Sequence, residues 1–355
     1  MRADCRAISS IRQRRDEDRS FGGPTQNLIR FFGAPRSFSG APTECMDSWA
    51  FSSMNLVLYL LAVLIWGSTW LGIKFQVAST VPAPVSVCWR FLLASAILFG
   101  WSLLTRRSMR FTRRDHVLIL ILGLFTFSVN YVCFYEAERS LASGLVALVF
   151  SLLPVFNMIN GVVFLRRYPE PRVVLGAAVG IAGIVVVFWP DIVGFDPHST
   201  GSIGLLLSVL GTISASFGNM AMARIQRSGL PVIQTNAIGM AYGAISIGIY
   251  SWLSGAHFSF DPSPSYVMSL AYLAIFGTVV AFGAYITLLG RIGPDRAAYA
   301  AVLFPIVALA LSTLFEGYVW TGRAIVGAIL ILLGNVLVLA KGRLPQARKP
   351  SSAAA

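Results

Sequence analysis

The sequence has few charged residues for its length. Lysine, arginine, aspartate and glutamate together make up 12% of the 355 residues, whereas a soluble domain carries roughly 25%. Hydrophobic residues account for 56% of the chain, and the mean hydropathy is +0.71. Runs such as 85–99, 142–165 and 173–189 contain at most one charge each. Continuous apolar runs of about 17–25 residues match the hydrocarbon core of a bilayer. The sequence therefore predicts an all-α integral membrane protein and argues against a soluble domain or a β-barrel.

Cysteine is also scarce, and acidic and histidine side chains are missing from the apolar runs. The four cysteines have no spacing typical of metal or redox sites. An intramembrane enzyme would need paired aspartates, a Ser/Lys pair or a His/Glu metal set within the runs, and no Asp or His lies there. The sequence therefore predicts a protein that is not an enzyme, with no metal site and no cofactor.

Ten apolar spans can be drawn, and the basic residues alternate between their ends. The spans are 55–73, 84–104, 117–135, 142–164, 172–189, 203–223, 232–253, 266–289, 297–315 and 323–340. If the first span starts in the cytoplasm, the inner segments carry 24 of the 28 Lys and Arg residues and the outer segments carry three. Basic residues are enriched in cytoplasmic loops. We therefore expect a multi-pass protein of the inner or plasma membrane with both termini in the cytoplasm, and we attribute the net charge of +13 to those loops rather than to nucleic-acid binding.

The two ends of the chain differ in composition from the spans. Residues 1–54 are rich in Arg, Gly, Pro and Ser without an apolar period, which predicts a disordered extension. We also consider that translation starts at Met46 or Met54. Residues 341–355 are predicted to be a cytoplasmic tail.

An internal repeat relates the two halves of the chain at an offset of 151 residues. The segment "LLPVFNMINGVVFLRRYPEPRVVLGAAVGIAG" from Leu152 aligns without a gap on "LFPIVALALSTLFEGYVWTGRAIVGAILILLG" from Leu303. Five spans separate equivalent positions, and an odd number means that the halves cross the membrane in opposite directions. The sequence therefore predicts two inverted five-helix repeats, 55–190 and 203–340. Such repeats are typical of secondary transporters with a midplane substrate site.

Four segments resemble one known family. They are "LIWGSTWLGIKF" at 64–75, "WRFLLASAILFG" at 89–100, "LLPVFNMINGVVFL" at 152–165 and "LLGRIGPDRAAYAAVLFPIVALALSTLFEGYVWTG" at 288–322. Over about 55–340 the chain resembles the EamA-type transporters of the drug/metabolite transporter superfamily. The resemblance implies a ten-helix bundle that exports or exchanges small metabolites, often amino acids, and is commonly coupled to protons. It departs at Arg166–Arg167, where the family usually has a Gly-Glu pair.

Two prolines at equivalent positions are predicted to act as hinges. Pro154 and Pro305 each remove a backbone donor inside an apolar span, and such a proline bends its helix. Two bent helices related by a pseudo-two-fold axis can line a cavity and pivot.

Polar residues within the spans are the candidates for substrate binding. Asn157 and Asn160 either make interhelical hydrogen bonds or contact substrate. Arg90 either snorkels to the outer surface or meets a substrate carboxylate or an acidic partner. The remaining candidates are predicted to form cavity walls, and for the Trp and Tyr residues among them the alternative is an interfacial aromatic belt: Trp66, Ser68, Thr69, Asn130, Tyr131, Asn219, Tyr285 and Tyr299.

Three carboxylates end spans at the outer face. Glu136 and Glu138 end the third span and Glu316 ends the ninth. All three are candidates for carrying coupling protons, Glu136 and Glu316 first among them, with simple solvation as the favoured alternative for all three.

The inverted repeat predicts a secondary active transporter that works by alternating access. The family resemblance implies that it exports or exchanges amino-acid-like or drug-like metabolites, with proton coupling. A membrane receptor or scaffold with a transporter-like fold is the alternative. The expected partners are a small-molecule substrate, the lipid bilayer and, as a further candidate, a second copy of the chain.

Overall fold

The computed structural model describes residues 53–165, 168–193, 196, 199–293, 297 and 299–339. The predicted tail 341–355, residues 1–52 of the predicted extension and the Arg166–Arg167 pair lie outside this part. Every regular element within it is a helix. The helices are α1 (Ser53–Val77), α2 (Ala83–Leu104), α3 (Arg113–Ala137), α4 (Ser143–Phe150, resuming at Leu153–Leu165), α5 (Pro171–Val187), α6 (Thr200–Arg227), α7 (Val232–Leu253), α8 (Pro264–Ile292), α9 (Ala300–Phe315) and α10 (Gly322–Leu339). A short helix, Trp189–Val193, follows α5.

Eight of these helices are long and apolar enough to cross a membrane. The exceptions are α5 and α9, which have 17 and 16 residues. At 1.5 Å per residue, 16 residues rise about 24 Å, less than the hydrocarbon core of about 30 Å. The described residues therefore form a multi-span membrane protein whose fifth and ninth segments are shorter than typical spans.

Local sequence explains where several helices begin and end. The Thr112 hydroxyl accepts a hydrogen bond from the Asp115 amide, and the Asp115 carboxylate accepts from the Thr112 amide, so that two amides at the start of α3 are satisfied. Ser263 caps α8 in front of Pro264. Gly293 ends α8 with a φ of +86°, a backbone conformation that other residues rarely adopt.

Helices from one half of the chain pack mainly on helices of the other half. Helix α1 packs on α8 and α9, and α6 packs on α3 and α4, which stand five places before α8 and α9 in the helix order. The remaining large contacts join α2 to α7, α3 to α7, α4 to α9 and α5 to α10. The core therefore lies at the seam between the halves.

Helices α5 and α10 run antiparallel along a glycine seam. A Cβ added at Gly176 would lie 2.7 Å from the Gly334 carbonyl oxygen, and one added at Gly183 would lie 2.7 Å from the Gly327 carbonyl oxygen. Gly176 precedes Gly183 in α5, whereas its partner Gly334 follows Gly327 in α10. The two helices therefore point in opposite directions. Small residues here let the two backbones approach closely.

Two π-helical segments interrupt α3 and α8. They span Phe125–Val129 and Ile275–Val280, so their last residues are 151 positions apart. Each inserts one extra residue per turn and changes the face that the following helix presents.

The loops divide between two ends of the bundle. The acidic end carries loops 78–82, 138–142, 254–263 and 316–321, and the basic end carries loops 105–112 and 228–231 together with Gly293. At the basic end, the Arg291 guanidinium donates to the Asn55 side-chain oxygen at 2.7 Å. At the acidic end, Lys74 Nζ donates to the carbonyl oxygens of Glu138 and Leu141 at 2.7 and 3.3 Å.

Candidate functional site

A cavity of about 760 Å³ lies between α2, α7 and α8 towards the basic end. Its wall is mostly apolar, with Leu98, Val232, Met240, Phe282 and Ile286 among the residues that line it. The polar groups at its wall include Arg107, Gln234, Asn236 and Thr278. A concave, apolar chamber with a few polar groups is the usual form of a small-molecule site.

The π-helical segment of α8 positions one polar group of this wall. The Thr278 hydroxyl donates to the Leu273 carbonyl oxygen, five residues earlier, at 2.9 Å. That bond satisfies a carbonyl that the widened turn leaves without its usual donor. Thr278 therefore lies on a locally rewound stretch of α8, two helical turns before Ile286 on the same wall.

Two amide side chains of α7 supply further polarity. Gln234 Nε2 donates to the Ser102 hydroxyl at 3.4 Å and so joins α7 to α2. Asn236 is 4% exposed, and its Oδ1 has no hydrogen-bond partner among the described residues. An unsatisfied buried acceptor costs about 1–3 kcal/mol. Asn236 therefore contributes an unused acceptor to the residues that line the cavity.

Arg90 is enclosed by aromatic and polar side chains near the acidic end. It is 1% exposed, and its guanidinium carbon lies 4.6 Å from the centre of the Tyr131 ring. Arg90 Nη1 donates to the Tyr135 hydroxyl at 3.5 Å, and that hydroxyl donates to Gln76 Oε1 at 2.7 Å. A side chain held in this way does not snorkel to the surface, and the acceptor that it meets is a tyrosine rather than a carboxylate.

The cavity and the Arg90 cluster occupy corresponding places in the two halves. Thr278, Phe282 and Ile286 line the cavity, and the residues 151 positions earlier are Phe127, Tyr131 and Tyr135. Phe127 and Tyr135 are 1% and 0% exposed, and Phe91 packs against Phe127 and Tyr131 with ring centres 5.3 and 4.8 Å apart. The equivalent faces of α8 and α3 therefore differ. The face on α8 borders an open cavity near the basic end, and the face on α3 is packed against other helices near the acidic end.

The predicted asparagines make interhelical hydrogen bonds. Asn160 Nδ2 donates to the Ser216 hydroxyl at 2.7 Å, and Asn219 Nδ2 donates to Asn157 Oδ1 at 3.3 Å, both between α4 and α6. Asn130 Nδ2 donates to the Gly211 carbonyl oxygen at 3.0 Å and joins α3 to α6. These side chains hold helices together, and their predicted contact with substrate stays a prediction.

The predicted residues of α1 lie against α8. The Trp66 ring centre lies 5.5 Å from that of Phe282, a cavity residue, and 5.0 Å from that of Tyr285. The Ser68 and Tyr272 hydroxyls are hydrogen-bonded at 2.6 Å. The Thr69 hydroxyl donates to the Trp66 carbonyl oxygen at 2.7 Å. Trp66 is therefore separated from the cavity by a single aromatic ring.

None of the eleven predicted substrate residues is among the described residues that line this cavity. Tyr299, which directly precedes α9, is half-buried. The prediction selected polar and aromatic residues, whereas the wall is mainly aliphatic and resembles any other buried helix face. Gln234, Asn236 and Thr278 were detectable as polar residues inside apolar spans, but nothing in the sequence indicated that they share one wall.

The predicted hinges are not equivalent in this structure. Helix α4 is interrupted at Ser151 and Leu152, and Pro154 is the second residue of its resumed part, where a missing amide proton costs no helical bond. Pro305 instead lies inside the unbroken α9. Among the described residues, the helix is therefore interrupted directly before Pro154 but not directly before Pro305, and hinge motion stays a prediction for both prolines.

The three carboxylates at the acidic end have different surroundings. Glu136 pairs with Arg139 at 3.3 Å and is partly exposed. Glu316 accepts hydrogen bonds from the Ser143 hydroxyl and, at 3.0 Å, from the Ser143 amide at the start of α4. Glu138 is 0% exposed, and neither of its carboxylate oxygens has a partner among the described residues. The expectation of a solvated Glu138 is therefore wrong, because the chain folds this residue under neighbouring helices.

Comparison with known proteins places this geometry in a family. The model of the EamA-like transporter family matches the chain twice, at residues 53–189 and 202–340. The chain is 29% identical over 287 residues to the "Uncharacterized inner membrane transporter YedA" of Escherichia coli K12, covering 78% of this chain and 90% of that protein.

Two further similarities concern function and fold. The chain is 26% identical over 289 residues to the "Probable amino-acid metabolite efflux pump" of Escherichia coli K12, covering 78% of this chain and 92% of that protein. A solved structure described as "Crystal structure of protein" superposes with a TM-score of 0.57 at 18% identity, covering 80% of this chain and 96% of that one. The solved structure therefore shares the fold.

Proposed function

The chain belongs to the EamA-like transporter family and is a membrane transporter, and from that premise we propose that it is a secondary active carrier. It moves small organic metabolites out of the cell, or exchanges them, by alternating access. Its architecture is ten membrane-crossing helices in two inverted five-helix repeats. The direction, the mechanism and the solute class of transport are all part of what we propose.

Several structural features support the inverted repeat. Equivalent helices have equivalent partners, since α1 packs on α8 and α9 as α6 packs on α3 and α4. The π-helical segments end 151 residues apart, and the glycines of α5 and α10 meet in antiparallel order. A helix packed against its own repeat equivalent in opposite directions is what a two-fold axis in the membrane plane requires.

The difference between the two ends is the observation that carries the carrier mechanism. The face of α8 formed by Thr278, Phe282 and Ile286 borders a cavity, whereas the equivalent face of α3 is buried against Phe91 and Arg90. If the two halves exchanged conformations, the cavity beside α8 would close and an equivalent cavity beside α3 would open. A carrier needs such a pair of states, and a scaffold does not.

Charge supports the orientation. The basic end carries Arg106, Arg107, Arg110, Arg113 and Arg114 in the connection between α2 and α3 and in the first turn of α3. Short cytoplasmic loops are enriched in such residues. The cavity is therefore proposed to open towards the cytoplasm of an inner or plasma membrane protein, with both termini on that side.

The cavity wall supports amino-acid-like or drug-like solutes. A largely aliphatic and aromatic wall favours an apolar solute body, while Asn236 Oδ1 can accept from a solute donor and Arg107 can meet an anionic group. The printed name of one relative, an amino-acid metabolite efflux pump, favours the same class. A proton gradient is the proposed energy source.

Counterflow in vesicles tests this proposal. Vesicles containing the purified chain and an excess of unlabelled solute are given radiolabelled amino acids and lipophilic amines, one at a time. A carrier accumulates at least one label transiently and saturably. Absence of counterflow for every solute in the panel would instead support the receptor or scaffold alternative.

A cavity-filling pair of variants ties the activity to the cavity. Leu98 lines the cavity and Leu103, on the same helix, is 70% exposed and does not line it. Leu98→Trp should abolish the counterflow that Leu103→Trp retains. Equal rates for the two variants would remove the cavity from the transport path.

A further inference from the structure

Glu138 is a buried acid without a partner. It lies one residue beyond the end of α3 at the acidic end, is 0% exposed, and has two carboxylate oxygens without hydrogen bonds among the described residues. Isolating an ionised carboxylate from water costs several kcal/mol unless it is paired. Neither Glu136, which is partly exposed and paired, nor Glu316, which accepts from Ser143, carries that cost.

The charged groups around Glu138 come from three other helices. They are Lys74 of α1, Arg90 of α2 and Glu316, which directly follows α9. The Lys74 ammonium donates to the Glu138 backbone oxygen, not to the carboxylate, and Arg90 donates to the hydroxyl of Tyr135. Neither of the ion pairs found among the described residues includes Glu138.

These surroundings favour the neutral acid. Burial raises the pKa of Glu138 well above its ordinary value, and the Glu316 carboxylate raises it further, whereas Lys74 and Arg90 lower it. The two cations are engaged elsewhere and do not offset the loss of hydration. A carboxylic acid with its proton is therefore the form that this closed arrangement accommodates.

Donors for the ionised form lie close by and are also unused. Arg90 Nε and Gln76 Nε2 are buried donors without partners among the described residues, and both belong to the network centred on Tyr135. Parting of the α2–α3 seam would bring water to Glu138 and free these groups to rearrange around a carboxylate.

We infer that Glu138 is a proton-binding site that is loaded when the acidic end is closed and emptied when it opens. On opening, the carboxyl O–H bond breaks, the proton passes to water at the acidic end, and the carboxylate remains near Lys74 and Arg90. The outside proton concentration thereby sets the balance between closed and open states. This inference rests on the proposed alternating access and names the residue through which a proton gradient acts on it.

The sign of the pH effect follows from linkage. The closed state has the higher Glu138 pKa, so it binds more protons than the open state at any pH between the two values. Lowering the pH in that window favours closing, by up to about tenfold in the closed-to-open ratio per pH unit for one proton. Below both pKa values the two states bind the proton equally and the dependence disappears.

A distance measurement across the acidic end tests the inference without a known solute. Spin labels are placed at two exposed positions, Arg139 after α3 and Ser254 after α7, in a variant whose four cysteines are replaced. Pulsed electron paramagnetic resonance on vesicle-embedded protein then reports the closed fraction over a pH series. The wild-type residue at 138 should give a closed fraction that falls as the pH rises.

Three variants make the result specific. Glu138→Gln mimics the neutral acid and should stay closed at every pH, while Glu138→Asp keeps a carboxyl group and should titrate with a displaced midpoint. Glu136→Gln alters a partly exposed acid two residues away and should titrate as the parent does. Titration in Glu138→Gln equal to that of the parent, or a parent closed fraction that ignores pH, would overturn the inference.

Counterflow measured on the same samples separates the two proposals. A pH titration that depends on Glu138 without any solute movement leaves the proton site standing and removes the carrier function. Saturable counterflow in a protein whose closed fraction does not change with pH supports the carrier function and removes the proton site.

Discussion

The guanidinium of Arg90 rests on the ring of Tyr131, with 4.6 Å between its central carbon and the ring centre, in a position that is 1% exposed. A desolvated contact of this kind is worth about 2 kcal/mol. The same guanidinium donates to Tyr135, and Tyr135 donates to Gln76. One buried cation therefore holds together α1, α2 and α3 at the acidic end.

Arg90→Lys should lower the free energy of unfolding in detergent by about 1–3 kcal/mol, because an ammonium cannot cover the Tyr131 face and reach Tyr135 together. Thermal unfolding followed by circular dichroism measures the loss. The matched control is Arg139→Lys, since Arg139 is exposed and pairs only with Glu136, an interaction worth about 0–1 kcal/mol. Equal melting temperatures for the two variants would contradict a structural role of the buried guanidinium.

Gly183→Ala should destabilise the fold by about 1–3 kcal/mol, because the new Cβ would lie 2.7 Å from the Gly327 carbonyl oxygen and force α5 and α10 apart. Gly161→Ala on α4 is the control, since its Cβ meets no atom within 4 Å. That control should be neutral or stabilising by up to about 1 kcal/mol through helix propensity. Chemical unfolding in mixed micelles measures both, and a Gly183→Ala variant as stable as Gly161→Ala would show that the seam tolerates separation.

Asn160→Ala and Ser216→Ala should each cost about 0.6 kcal/mol, a typical value for an interhelical hydrogen bond in a membrane protein. Because the two side chains bond to each other, the double variant should lose less than the sum of the single losses. Equilibrium unfolding of the four proteins gives the coupling. The half-saturating solute concentration in counterflow should stay constant, and a rise in Asn160→Ala alone would assign Asn160 to the substrate.

Glu316→Gln should weaken the junction of α9 with α4 by about 1 kcal/mol. The carboxylate accepts from the Ser143 amide in the first turn of α4, where an anion offsets the unpaired donors of a helix start. Ser143→Ala removes the hydroxyl contact but keeps the amide bond, so it should lose less. Thermal unfolding measures the stability of each variant. An unchanged melting temperature for Glu316→Gln would show that the contact does not stabilise the protein.

The helices and their order follow from the sequence, whereas several of their details do not. All ten predicted spans coincide with apolar helices, yet α5 and α9 are shorter than expected and α4 is interrupted. The π-helical segments left no mark in the hydropathy pattern, because one extra residue in a turn changes neither composition nor length noticeably. Pro154 and Pro305 looked equivalent as residues, but neighbouring helices decide whether a proline interrupts its span.

The candidate site was the least predictable part. Asn157, Asn160 and Asn219 were recognisable as costly amides, and they pair with other side chains between helices. Leu98 and Phe282, which line the cavity, look like any lipid-facing or core residue. Polarity marks residues that need a partner, but it does not mark an apolar wall.

The sequence alone determined that this chain crosses a membrane repeatedly and carries a doubled unit, because hydropathy and residue spacing are local properties that add along the chain. Only the tertiary structure decided that Glu138 is buried while Glu136 is partly exposed, and that a cavity lies at one end of a seam packed at the other. Burial depends on which faces of distant helices meet, and residues far apart in the chain set that together.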